Sequence, residues 1–160
     1  LNMNIFAVDR NPVVAAQMLC DKHVVKMILE SAQIMSTIHG GPYKPTHSSH
    51  PCVLWAKKRT NYEWLAKHAL ALCQEYTSRY YKIHKSQPII EELAAKANAL
   101  PIGCSDFVQC MPDQYRGPDA VMAYRRYYCG DKAAFAVWKD GNEPWWWQLP
   151  EFAPEAVSCV

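Results

Sequence analysis

The stretch PVVAAQMLCDKHVVKMILESAQIMSTI, residues Pro12 to Ile38, decides how the chain is read. Val13, Ala16, Leu19, Val24, Met27, Ile28, Ile34 and Met35 recur at steps of three and four, the period of a helix that buries one face. Pro12 after Asn11 suits a first helical turn, and Gly40-Gly41-Pro42 stops the pattern. The stretch therefore predicts one long helix.

Working outward, the polar loop Tyr43 to His50 separates this helix from a second long pattern. Pro51 opens it, and it runs to about His84 with an inward stripe of Trp55, Tyr62, Leu65, Ala69, Leu72 and Tyr76. Gln87-Pro88 breaks it, and Ile89 to Leu100 reads as a short helix ended by Pro101. Residues 102–117 read as irregular. Pro118-Asp119 starts a last helix toward Trp138, with a possible interruption at Gly130-Asp131, and an aromatic tail carries Trp145-Trp146-Trp147. Asn4 to Val8 is a weak strand candidate. The expected fold is all-α: residues 1–160 form a single compact helical domain with long loops and an aromatic C-terminal tail.

With 160 residues, half of them hydrophobic, the chain can bury one sizeable core. No stretch approaches the roughly 18 apolar residues of a membrane span, and residues 1–5 lack the pattern of a signal peptide, so the expectation is a soluble, cytoplasmic protein without a membrane partner. Seven cysteines include no CxxC pair and are read as reduced packing residues. A net charge of +2 excludes a protein that holds duplex DNA by bulk charge, so any anion site must be local.

Three constellations can carry chemistry. On the first helix, His23 and Glu30 share a face and can line a titratable pocket, with Lys22 and Lys26 beside them to take a phosphate; the plainer reading is an ordinary ion pair four residues apart between Lys26 and Glu30 and solvated lysines. In the loop before the second helix, Lys44, Thr46, His47, Ser49 and His50 can meet a phosphate or base edge at a helix N-terminus, unless Ser49 or His50 merely caps it. His47 and His50, completed by His23 or Cys52, can be half a metal site, but no metal or cofactor is expected. In the closing segment, Tyr115, Trp145 and Trp146 offer faces for base stacking and Arg116 and Arg125 can pair phosphate, or the tryptophans simply anchor the tail.

These motifs, in order, resemble the pyrimidine-dimer DNA glycosylase and AP lyase of T-even phage, the endonuclease V type, from about Ala16 to Trp147. The resemblance is carried by Asp21-x-His23 with Glu30, by His50-Pro51-x-Val53 opening an aromatic and basic helix, and by Met111-Pro112-x-x-Tyr115-Arg116-Gly117 followed by Pro144-Trp145. It implies an all-helical fold, a DNA substrate, and cleavage of a glycosidic bond through an imine formed by the N-terminal α-amine, with Glu30 as the catalytic carboxylate. Leu29 and Gln33 stand where the family has arginines flanking the glutamate, and the segment before Glu30 is several residues longer. The alternative is a non-catalytic binder on the same scaffold, which sequesters a small cyclic or modified nucleotide signal, as a phage evading host defence would use. The oligomeric state is not legible.

Overall fold

The computed structural model describes residues 3–153. Six α-helices form among them: α1 (Pro12–Met18), α2 (Asp21–His39), α3 (Pro51–Ala56), α4 (Arg59–Tyr80), α5 (Gln87–Ala94) and α6 (Ala120–Asp131). Short 3₁₀ turns lie at Ala97–Ala99, Asp113–Tyr115 and Pro150–Phe152. No strand forms among the described residues, and the fold is all-α as expected. No helix is long and apolar enough to cross a membrane.

The long first helix is in fact two. Asn11 starts α1 by accepting from the amides of Val13 (2.9 Å) and Val14 (3.2 Å), with Pro12 in the first turn. The helix then stops at Met18, because distant side chains claim the backbone groups there. Arg79 donates to the carbonyls of Leu19 (2.8 Å) and Gln17 (3.1 Å), Trp138 Nε1 donates to Met18 O (3.0 Å), and the Tyr128 hydroxyl accepts from the Cys20 amide (2.9 Å). Leu19 and Cys20 are extended, and α2 begins afresh at Asp21. It ends where Gly40 adopts φ 80°, a left-handed cap that glycine supplies without strain.

The second long pattern also divides, and it ends at Tyr80 rather than near His84. His50 caps α3 through Nδ1, which accepts from the Cys52 amide at 3.0 Å. The first free amides of α4 are satisfied from afar: Arg59 N donates to Pro101 O and Thr60 N to Gly103 O. The inward stripe from Trp55 to Tyr76 is buried as read. Helix α4 is the hub, packing against α1, α2, α3 and α5.

Asp119 caps α6, which ends at Asp131 rather than running toward Trp138. The helix passes through Gly130 without a break. A Cβ there would stand 2.7 Å from Tyr115 Cε1, so glycine is required for the tyrosine ring to lie on the helix. The tail folds back under α6: Trp146 and Phe152 are fully buried, and Trp146 meets Tyr128 edge to face.

The strand candidate Asn4–Val8 is buried but has no ladder partner. Asn4 Oδ1 takes the amides of Ile5 (2.8 Å) and Phe6 (3.1 Å), and Phe6 sits at φ 39°. A side chain that turns its own backbone in this way replaces strand pairing.

Candidate active site

The buried side of α2 contains one carboxylate. Glu30 is only 7% exposed, and neither of its oxygens has a hydrogen-bond partner among the described residues. Lys26, one turn earlier, brings Nζ to 3.7 Å from Oε2, an ion-pair distance beyond hydrogen-bonding reach. Burial raises the Glu30 pKa from 4.5 to about 7, against the opposing pull of Lys26, the Asn4 amide and Lys132. An unpartnered buried carboxyl that titrates near neutrality is costly for a scaffold and suited to moving protons.

Glu30 opens onto a pocket of about 390 Å³ lined also by Met3, Lys26, Leu29, Gln33, Thr46 and His47. Leu29, Gln33 and Thr46 are shared with a neighbouring depression that adds Tyr43, Lys44, Pro45 and Lys85. On the other side, Met3 is shared with a third depression reaching Asn4, His50, Cys110 and Arg116. Lys85, Lys44, Lys26 and Arg116 are thus strung along one concave surface with Glu30 between them. The loop is tied to α2 where Thr37 Oγ1 accepts from the Thr46 amide (3.1 Å) and donates to Thr46 O (3.2 Å). His47, at φ 50°, is held in the left-handed region, a strain that a functional edge of a pocket often carries.

His23 sits elsewhere than its spacing suggests. It is 3% exposed, stacked on Phe6 (centroids 4.3 Å apart), with Nδ1 2.9 Å from the Tyr128 hydroxyl. Burial foremost, then Lys132, Lys26 and Lys22, lowers its pKa to about 3, so the ring is neutral. It lines none of the three depressions around Glu30. Its geometry is that of a group packed behind the site, supporting Phe6, rather than one facing a reacting atom.

The closing segment divides along similar lines. Arg125 is buried, with Nε donating to Val8 O (2.9 Å), Nη2 on Asp9 (3.3 Å) and the guanidinium beneath Trp145 and Trp146. Its donors are engaged within the chain. Tyr115 is 7% exposed and donates to Asp131 (2.6 Å) across Gly130, and Trp146 is wholly buried. Arg125, Tyr115 and Trp146 are therefore corrected from contact surface to interior. Trp145 remains 64% exposed, and Arg116 is exposed with only a loose partner in Asp113 (3.4 Å). Lys22 is exposed and lies over the Phe135 ring (4.5 Å).

In the loop, Ser49 and Lys44 are exposed, whereas His50 is the cap of the short helix α3. The pairing of His47 with His50 is not what gathers metal-type ligands. The cluster found among the described residues is His50, Cys52 and Cys110, whose ligand atoms lie within 4.8 Å of one another. These three could hold a thiophilic ion, but the Nδ1 lone pair of His50 already accepts the Cys52 amide.

Lys85, Lys132 and Cys110 are the members that sequence reasoning missed. Their local contexts carry no signal. Each is brought to the α2 face only by the packing of α5, the turn after α6 and the loop before Asp113.

The described residues thus set a titratable carboxyl beside a lysine-flanked groove in an all-helical protein. Residues 3–88 match the family described as pyrimidine dimer DNA glycosylase, and the chain belongs to that family. Membership implies a glycosylase-like function with DNA as partner. The match covers α1 to α4, the Glu30 pocket and the His50 cap, and stops short of the Met111 to Gly117 and Pro144-Trp145 motifs. No curated protein and no solved structure matches the chain.

Proposed function

We propose that the protein cleaves the glycosidic bond of a damaged pyrimidine in DNA through an imine, with Glu30 as the group that manages the protons. The observation that carries this reading is the Glu30 carboxyl itself: buried, without a hydrogen-bond partner among the described residues, titrating at about 7, and belonging to a residue that lines the groove. An amine in the pocket adds to C1′ of the sugar, the damaged base departs, and loss of a C2′ proton from the imine breaks the strand. Protonated Glu30 can assist base departure, and ionised Glu30 can accept the C2′ proton; a pKa near neutrality makes both forms available.

Lys26, Lys44 and Arg116 take phosphates of the strand, joined by Lys85. They stand in for the grips that Leu29 and Gln33 no longer supply. Trp145 is the aromatic face free to stack on a base, because Trp146 and Tyr115 are inside. The groove runs through three adjoining depressions, which suits a polymer, and the comparisons give no support to a site for a small cyclic nucleotide.

The test is incubation with duplex DNA carrying a thymine dimer or an abasic site, with borohydride present to reduce the imine to a stable protein–DNA adduct. The expected result is an adduct and strand cleavage with the natural protein, both lost in Glu30→Gln. Absence of adduct and cleavage at high protein concentration would overturn the reading.

A further inference from the structure

We propose that Cys52 and Cys110 form a reversible disulfide that fastens the segment Met3–Asn4 beside the Glu30 pocket. Their sulfurs are 3.3 Å apart, in direct contact without a covalent bond. No other two thiols are in contact among the described residues, although Cys20, Cys73 and Cys129 are also buried. Simple packing of small apolar side chains accounts for those three. It does not account for a pair that joins two separate segments, one at the first turn of α3 and the other in the irregular loop before Asp113.

The two thiols differ in access. Cys52 is wholly buried, while Cys110 is half-buried and lines the depression beside Met3, Asn4 and Arg116. Contact with the Cys52 thiol foremost, and the nearby Arg116, favour the Cys110 thiolate, while burial opposes them. Cys110 is thus the attacking sulfur and Cys52 the resolving one. With a low-molecular-weight disulfide as oxidant, the Cys110 thiolate attacks one of its sulfurs, forms a mixed disulfide and releases one small thiolate. Cys52 then loses its proton and attacks the Cys110 sulfur, forming the Cys52–Cys110 bond and releasing the second small thiolate. Two protein thiols are oxidised and the small disulfide is reduced to two thiols.

The pair touches the N-terminal segment from both sides. Cys52 Sγ lies 3.8 Å from Met3 O, and Asn4 Nδ2 donates to Cys110 O at 2.7 Å. Asn4 lies beside Glu30, where its backbone amide favours the carboxylate without a hydrogen bond of normal geometry. A covalent bond between the sulfurs therefore locks together the two segments that contact Met3 and Asn4. The bond itself is independent of the proposed reaction, and its effect on that reaction rests on the reading above.

The experiment equilibrates the full chain in buffers of rising oxidised glutathione, blocks free thiols, and maps peptides without reduction. The expected result is one cross-linked peptide pair containing Cys52 and Cys110, lighter by two hydrogen masses, reversed by dithiothreitol and formed equally in Cys104→Ser. In the oxidised chain, amide exchange at Ile5 and Cys110 slows about tenfold, because local opening there is suppressed. A pair that stays reduced while exposed Cys104 is converted overturns the proposal. So does Zn²⁺ protection of both thiols that is lost in His50→Gln, which would make them metal ligands instead. Unchanged exchange after cross-linking removes the fastening role. Failure of DNA trapping with the cross-link formed counts only against the proposed function.

Discussion

Two regions carry polar and aromatic groups in comparable density, and they use them in opposite ways. Around α6 and the tail, the buried polar groups have partners in the chain, among them Arg125 on Val8 O and Asp9, Tyr115 on Asp131 and Trp138 on Met18 O. On the α2 face, Glu30 is equally buried, and its two oxygens have no hydrogen-bond partner among the described residues, only the Lys26 ammonium at 3.7 Å. A buried polar group with its hydrogen bonds satisfied stabilises one structure, whereas one left without partners, as are the Glu30 carboxyl and one ring nitrogen each of His39 and His68, costs stability. The comparison separates scaffold from site more sharply than residue type does, since both regions offered arginine, tyrosine or carboxylate to the reader of the sequence.

The largest effect that tests this difference is Glu30→Gln. The amide keeps the shape of the side chain and removes the transferable proton, so adduct formation and strand cleavage should fall by about 10² to 10⁴. Single-turnover kinetics on abasic DNA measure it. A fall below tenfold would place Glu30 with the scaffold.

The opposite expectation holds for the tail. Trp146→Ala empties a fully buried site under α6 and should lower stability by about 3 to 5 kcal/mol, read from denaturant midpoints. Trp145→Ala, one residue away and 64% exposed, should change stability by less than about 1 kcal/mol and weaken single-strand binding by about 1 to 3 kcal/mol. If the two tryptophans exchange these phenotypes, the division of the tail is wrong.

A pH comparison isolates the cost of the lone carboxyl. Glu30 has a folded pKa of about 7 against 4.5 for the ordinary group. Between those values the unfolded chain loses a proton that the folded chain keeps, so stability falls as pH rises through this window and levels off above it. At 1.36 kcal/mol per unit, the penalty is about 3 kcal/mol at pH 8. Glu30→Gln should therefore be more stable than the natural protein at pH 8 and equal to it near pH 4. His23, lowered to about 3 by burial, works in the other direction: its contribution is present above pH 6.5 and is lost as pH falls toward 3. Thermal melts of both proteins across pH 4 to 8 separate the two groups.

What the sequence disclosed follows from the range of the forces involved. The α2 face and Glu30 were legible because a helix places residues three and four apart together without help from elsewhere. The stop at Leu19-Cys20 was not, because Arg79, Tyr128 and Trp138 impose it from 60 to about 120 residues away along the chain. The same holds for Cys110, which meets Cys52 across 58 residues, and for Lys132 and Lys85. Arg125 and Trp146 were misread as surface because an arginine beside tryptophans is as apt for a buried cation–aromatic stack as for a nucleic acid. Only the hydrogen bonds from Arg125 to Val8 and Asp9 decide between the two. Gly130 was read as a possible helix break. It is instead a point of close approach, legible only once Tyr115 is placed.

The smallest expected effect addresses the groove rather than the chemistry. Lys44 is exposed beside Thr46 and Lys85, without an ion-pair partner among the described residues. If it takes a DNA phosphate, Lys44→Ala removes one released counterion, and the slope of log affinity against log salt should shrink by about 0.9 while stability is unchanged. Lys22, folded over Phe135, serves as the internal contrast, because its ammonium already has an aromatic face beneath it and it lies outside the three depressions. Lys22→Ala should leave the slope within about 0.3 of the natural value. Equal slopes for the two variants would mean that DNA follows a path other than the groove running past Glu30, and the polar accounting that locates the carboxyl would then have located only a proton carrier, not the track of the strand.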